Sequence, residues 1–461
     1  MISHIKTLNR IDVFLRNNRL YSKLVKRCIF AVALLIYGSA QAQEVVEGGY
    51  SNSSLGQETV KERSWEFTYK AYVENTLEVE REFDLNDSKP DDTTISEPEA
   101  GLKLLLDSDD RFRLFGELLL SRRYFLDNDT NKSPRDWQLN VEQAYFEYGG
   151  SQDDFKLRLG RQTFADKMEW LYDADLDGIR LFYELGQINL ELSATEEETF
   201  NGDVLNNRSD RNERIRNYMF VASYAPKKKV NISGYVIYLD ERAYKGSRPE
   251  DLLFVGVQSV GKVNSNFSYW LNAAYVTGER TRSSDVRKIE ANGLDIGATF
   301  VLDKVLEPSF TLGYAYGSGD GERSEGKDRN FRQTGLQDND YRFNGVTSFR
   351  YLGELVDPEL SNMSIVTVGI GFRPTKKSSI DIVYHRYDQV KAVDRLTGTN
   401  IDRDPLGISK DLGYELDVII GSREIDDVYI EGVFGYFSPG KAFKSTADDA
   451  FFAAFEIGLK F

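Results

Sequence analysis

The chain has 461 residues, with 58 Lys and Arg against 74 Asp and Glu, a formal charge of −16, and a mean hydropathy of −0.46. That acidic balance argues against nucleic acid as a partner, because phosphates call for a basic surface. One cysteine and two histidines leave little material for nucleophilic or Cys/His catalysis, so the composition points away from an enzyme.

The first 42 residues read as a targeting segment. Lys6, Arg10, Arg16, Arg19, Lys23, Lys26 and Arg27 form a basic start, Cys28 to Tyr37 an apolar run, and Ala40-Gln41-Ala42 a small-residue cleavage site. An apolar run that short suits a signal peptide, not a membrane span. The expected mature domain is 43–461, beginning near Gln43. Removing seven of the 58 basic and one of the 74 acidic residues leaves 51 against 73, a formal charge of −22. Cys28 and His4 leave as well, so His385 is the sole remaining histidine, and it is assigned no chemistry.

Beyond residue 43, period-two alternation dominates. Strands are expected near 64–79, 98–106, 111–125, 137–148, 154–163, 177–185, 188–197, 215–225, 230–241, 251–261, 267–279, 292–303, 309–318, 363–373, 378–388, 412–422, 428–437 and 451–461. Phe310, Leu312, Tyr314 and Tyr316 oppose Thr311, Gly313, Ala315 and Gly317. Leu412, Tyr414, Leu416, Val418 and Ile420 oppose Gly413, Glu415, Asp417 and Gly421. The closing strand puts Phe451, Ala453, Phe455, Ile457, Leu459 and Phe461 on one wholly apolar face. Other stretches, such as 137–148 and 215–225, alternate poorly and imply bulges.

Short connections alternate with long ones near 126–136, 164–176, 198–214, 242–250, 280–291, 319–362, 389–411 and 438–450. This rhythm, with apolar-out and polar-in strands, is that of an all-β transmembrane antiparallel β-barrel with short periplasmic turns and long extracellular loops. About 18 strands are expected, an even count that puts both ends on the short-turn side. The segment 341–356 is placed in the long loop 319–362, either external or folded into the lumen. Such a protein belongs in the outer membrane of a Gram-negative-type bacterium, with outer-membrane lipid around it.

Asp173, Asp175, Asp177 and Gly178, with Glu184 following, match the spacing of an EF-hand loop. The alternation of Ile179, Leu181 and Tyr183 makes the flank a strand and not a helix, so the favoured reading is an acidic loop, solvated or paired with arginines. Ca²⁺ is the only cofactor these residues suggest. Gly317 to Gly321 lacks the Lys and Ser/Thr of a phosphate loop and reads as plain loop.

Arginines interrupt the apolar alternation in several strands. Arg158 opposes Phe155, Leu157 and Leu159 in its strand, and Arg180 opposes Ile179, Leu181 and Tyr183. Arg113 and Arg123 oppose Phe112, Leu114, Leu118 and Leu120. A charge facing mid-bilayer lipid costs about 2–4 kcal/mol, so these side chains belong in the lumen. There they either set anion preference or neutralise acids such as Glu117, Asp417 and Glu431. Spacing alone leaves both readings open.

Two stretches resemble the alginate-export outer-membrane porin family. They are Leu159 to Tyr183, LGRQTFADKMEWLYDADLDGIRLFY, and the stretch beginning FRQTGLQDNDYRFNGVTSFRYLGELVDPEL within Asn330 to Pro374. The resemblance implies an 18-stranded barrel passing a polyanionic uronate polymer through an arginine-rich constriction. Carried onto this sequence it implies Arg158, Arg161, Arg180, Arg332, Arg342 and Arg350 along the path, with Arg123 and Lys167 as additions. Asp173, Asp175 and Asp177 would shape the field beside them. It also implies a periplasmic scaffold partner of helical repeats. Two further readings stay open: a channel for other small or oligomeric anionic solutes, directed inward, and a non-conducting adhesin or structural barrel.

Overall fold

The computed structural model describes residues 65–86, 91–108, 111–128, 135–149, 154–197, 202–206, 214–227, 230–242, 249–282, 285–321 and 326–461. The targeting segment 1–42 lies outside them.

The strands are β1 (Trp65–Arg81), β2 (Thr93–Ser108), β3 (Phe112–Ser121), β4 (Tyr124–Asn128), β5 (Gln138–Tyr148), β6 (Phe155–Ala165), β7 (Asp173–Leu185), β8 (Ile188–Glu196), β9 (Arg214–Lys227), β10 (Val230–Arg242) and β11 (Glu250–Lys262). They continue with β12 (Phe267–Arg282), β13 (Asp285–Val301), β14 (Ser309–Gly317), β15 (Lys327–Asp328), β16 (Asp340–Tyr341), β17 (Phe349–Arg350), β18 (Met363–Thr375), β19 (Ser378–Gln389), β20 (Asp411–Ser422), β21 (Val428–Pro439) and β22 (Ala450–Lys460). Four of these do not span the wall. β4 continues β3 alongside β2, β15 is a two-residue parallel addition to β13, and β16 and β17 form a hairpin of their own. The other 18 run antiparallel, each to its neighbour, and β1 closes on β22 from Tyr72↔Lys460 to Arg81↔Phe451. Closure removes every sheet edge, which is what lets β-structure cross a bilayer.

The outer face is apolar because the alternation runs as the sequence reads. Phe310, Leu312 and Tyr314 of β14, Val366, Val368 and Ile370 of β18, and Phe451, Phe455 and Ile457 of β22 are exposed, while their neighbours point inward. The expected long connection 280–291 is a correction: β12 and β13 stay paired out to Arg282↔Asp285. Glu279, Arg280, Arg287 and Lys288 break the hydrophobic pattern there, but beyond the bilayer a ladder needs only backbone hydrogen bonds, and charges cost little.

Inside, the barrel is asymmetric. The described residues of the connection 318–362 fold into the lumen, so that of the two placements open for 341–356 the lumenal one is found, and they pack on the inner wall from β11 to β21. Phe343 stacks on Trp270 at 5.5 Å between ring centres, and Phe349 packs edge-on against Phe343. Asp295 of β13 accepts from the Trp270 indole at 2.8 Å, the Asn272 amide at 3.0 Å and the Tyr351 hydroxyl at 2.8 Å. Glu415 of β20 accepts from the backbone N–H groups of Leu355 at 2.6 Å and Val356 at 3.1 Å and from the Tyr387 hydroxyl at 2.8 Å. His385 is wholly buried beneath this loop, its Nδ1 2.9 Å from the Thr367 hydroxyl. A side chain at Gly297 would overlap the Trp270 ring, so this glycine is what lets the indole lie flat across β13.

Candidate functional site

Along β11–β21 the inner residues are sealed under the loop, which also bonds the start of β7 through the Asp173 N–H and the Leu336 carbonyl, whereas along β2–β6 several basic side chains stay partly open. The Lys103, Arg113, Arg123 and Arg158 side chains are 42%, 41%, 37% and 21% exposed. The passage therefore runs between the inserted loop and this wall.

Cross-strand register arranges the charges there into a ladder. Asp107 lies opposite Arg113, Arg113 opposite Glu147, Glu147 opposite Arg158, and Arg158 opposite Arg180. Arg113 grips Asp107 through two nitrogens, at 3.0 and 3.1 Å, and reaches Glu147 at 3.4 Å. The other oxygen of Glu147 takes Arg158 Nη2 at 2.6 Å and Nε at 2.9 Å. Arg180 binds both oxygens of Glu191 at 2.6 and 2.9 Å and donates to the Thr163 carbonyl. Aromatic faces hold the guanidinium groups: Arg158 sits 4.3 Å from the Tyr145 ring centre, and Arg180 4.5 Å from Phe164. Charge-assisted bidentate pairs of this kind fix orientation as well as energy.

The other expected arginines divide by role. Arg161 lies where β5 and β6 part, bound to both oxygens of Asp177 and to the Val141 carbonyl. Arg123 pairs with Glu97 at 2.8 Å. Arg332 pairs with Glu250 of β11 and with Asp328, and so ties the loop to the wall. Arg342 is exposed and Lys167 likewise, and among the described residues neither side chain forms an ion pair. Arg350, on the loop, lies 3.4 Å from Asp357, and Glu78 on β1 is within electrostatic reach of both Arg350 and Arg123.

Asp173, Asp175 and Asp177 do not converge on an ion. They are alternate positions along β7, and Asp175 accepts from Thr163 at 2.5 Å while Asp177 serves Arg161. Asp173 instead meets Glu169 and Asp338, their oxygens within 4.8 Å of one another. Burial and the Asp173 charge push the Glu169 carboxyl up to about 8, so a proton relieves the repulsion there at neutral pH. Of the acids expected to neutralise arginines, Glu431 pairs with Arg423, whereas Glu117 takes Lys103 at 2.8 Å and Asp417 faces His385 at 3.4 Å.

Glu354 of the inserted loop is buried, and desolvation pushes its carboxyl up to about 8 against the partial relief of Arg350. A raised carboxyl favours the folded state fully below its ordinary value near 4.5, and that contribution is lost as pH rises through 8. The purified protein is therefore expected to lose its compact form at a lower temperature at pH 9 than at pH 6, read by heat-modified electrophoretic mobility. Glu354→Gln should flatten that dependence; an unchanged slope would remove Glu354 as its source.

A closed 18-stranded barrel with an apolar belt, a charged wall and a loop narrowing its bore is a transmembrane channel of porin type. The family model for alginate export matches residues 68–455, and the chain belongs to that family. It is an outer-membrane channel of Gram-negative bacteria and not an enzyme. The alginate production protein AlgE of Pseudomonas aeruginosa is 23% identical over 347 residues, spanning 65% of this chain and 69% of that protein. The protein of the same name from Azotobacter vinelandii is 27% identical over 183 residues, 35% of this chain and 37% of the relative. Among solved structures, Acinetobacter baumannii OccAB4 aligns with a TM-score of 0.54 at 13% identity, over 86% of this chain and 98% of that one. Pseudomonas aeruginosa OccK5 aligns at 0.51 and 11%, over 85% and 97%. At such identities the likeness is one of fold.

Proposed function

We propose that this channel lets an anionic uronate polymer such as alginate diffuse passively outward, with the wall arginines as exchange sites. The observation that carries this reading is the pairing of the partly open Arg158 with Glu147, followed across the strand by the more buried pair of Arg180 with Glu191. Each guanidinium is already held, by a carboxylate and an aromatic face, in the planar geometry that carboxylates bind. A uronate carboxylate can replace the wall carboxylate at one arginine and then the next, trading one ion pair for another of similar strength. Binding stays weak and repeated along the path, which conduction requires. Pairing also reconciles an acidic chain with an anionic cargo, because the polymer meets local arginines and not the net charge.

In planar bilayers the wild type is expected to carry anion-selective current that polymannuronate blocks. Arg158→Ala or Arg350→Ala should weaken the block by about five- to ten-fold, the roughly 1 kcal/mol of one net hydrogen bond. Cation-selective current, or current indifferent to the polymer, would rule out a uronate cargo.

A further inference from the structure

We propose that the outer, lipid-facing side of the barrel carries a lipid-phosphate site at the end of β3, built on Arg122 and Arg135. The outward alternation of β3 runs through Leu114, Leu118 and Leu120 to Arg122, while Arg123 turns inward to Glu97. Leu120 lies opposite Leu139 of β5, so Trp137, two residues before Leu139, falls on the same outer side. Outer-membrane barrels keep their short turns in the periplasm, and a short connection joins β2 to Phe112 at the start of β3. From Phe112 to Arg122 the strand runs about 34 Å, or about 25 Å along the membrane normal at the usual tilt. That is the height of the apolar belt. Arg122 therefore stands at the headgroup level of the outer leaflet.

Both arginines are held in place yet lack an anion. The Arg122 N–H donates to the Pro98 carbonyl and its Nε to the Arg135 carbonyl at 3.0 Å. Its guanidinium lies 4.7 Å from the Tyr124 ring centre and 6.0 Å from that of Trp137. Arg135 is exposed and fixed through its own N–H to the Arg123 carbonyl. Among the described residues, neither the terminal nitrogens of Arg122 nor the Arg135 guanidinium has an ion pair or a hydrogen bond. Their neighbours differ: Arg81 and Arg123 hold carboxylates, and so does Arg216 on the outward side of β9, with Glu196. Asp127 of β4 is taken by Arg81 at 3.6 Å.

Phosphate is the ligand this pair fits. A guanidinium fork binds phosphate oxygens through two parallel hydrogen bonds, and the aromatic faces orient one of the forks. Tyr and Trp rings belong where acyl chains meet headgroups. The site faces lipid and not the bore, so the anion at its height is the phosphate of an outer-leaflet glycolipid. It is independent of the cargo the channel carries.

The test is the binding of fluorescent diphosphoryl lipid A to the whole protein in detergent micelles. Arg122→Gln and Arg135→Gln should each weaken it about two- to five-fold, the size of one exposed charge contact, and the double variant about ten-fold. Arg122→Lys, which keeps the charge and loses the fork, should fall between wild type and Arg122→Gln. Compact electrophoretic mobility and wild-type single-channel conductance would show each variant folded and its bore untouched. Should the double variant fail there, the single variants carry the same comparison. Lipid A stripped of its phosphates should bind wild type and variants alike. Equal binding of diphosphoryl lipid A by wild type and variants would overturn the site. A wild type indifferent to the phosphates would overturn it as well, since only acyl chains would then be held. Displacement of the lipid by inorganic phosphate at matched concentration would assign the pair to a free anion and overturn the lipid reading.

Discussion

Replacing residues 340–356 by a short Gly/Ser linker is expected to raise single-channel conductance about three-fold or more. A wall of 16–18 strands encloses an aqueous bore unless something fills it, and here the filler is the connection 318–362. Trp270, Asn272, Asp295, His385, Glu415 and Asp417 are all at most 3% exposed because this loop covers them. Its removal returns that half of the lumen to water. The barrel should survive, since its closure through β1 and β22 and its apolar belt do not involve the loop. Selectivity should fall as conductance rises, because Arg342 and Arg350 leave with the segment. Unchanged conductance would mean that the open passage along β2–β6 already limits the current and that the loop only packs.

The second large effect is expected at Asp295. Its carboxylate is buried and holds three donors, two from the wall and one from Tyr351 of the loop. A hydrogen bond to a charged group contributes about 1.5–3 kcal/mol, and removal of the acceptor leaves buried donors unsatisfied. Asp295→Ala should therefore destabilise the protein by roughly 3–5 kcal/mol, whereas Tyr351→Phe, which removes only the loop's bond, should cost about 1–2 kcal/mol. The midpoint of heat-induced loss of the compact form would order them. Equal losses for the two substitutions would show that Asp295 matters only as the anchor of the loop and not as the centre of a network within the wall.

How much was legible beforehand follows the physics of each feature. The spanning strands were readable because lipid on one side and water or protein on the other impose a period of two, as in Phe310 to Gly317. Their ends were not. β12 and β13 continue past the bilayer through Glu279 and Lys288, where no hydrophobic signal marks a strand. Arginines could be placed in the lumen because the alternative is lipid, yet nothing in their spacing showed that Arg158 would pair with Glu147 and Arg332 with Glu250 and Asp328. The three aspartates of β7 looked like a ligand set in one dimension. The strand spaces them along the wall, where Thr163 and Arg161 take two of them.

The sequence by itself determined a closed barrel, its strand number and the loop that does not join the wall. Each of these is a local consequence of how a residue partitions between lipid and water. Only the tertiary structure decided where the bore lies, which arginines it exposes and which acid each one meets. Those depend on register between strands far apart in the chain and on a 45-residue connection, 318–362, choosing one half of the lumen. A guanidinium has the same sequence letter whether a carboxylate across the strand or a passing polymer holds it, and only the geometry distinguishes the two.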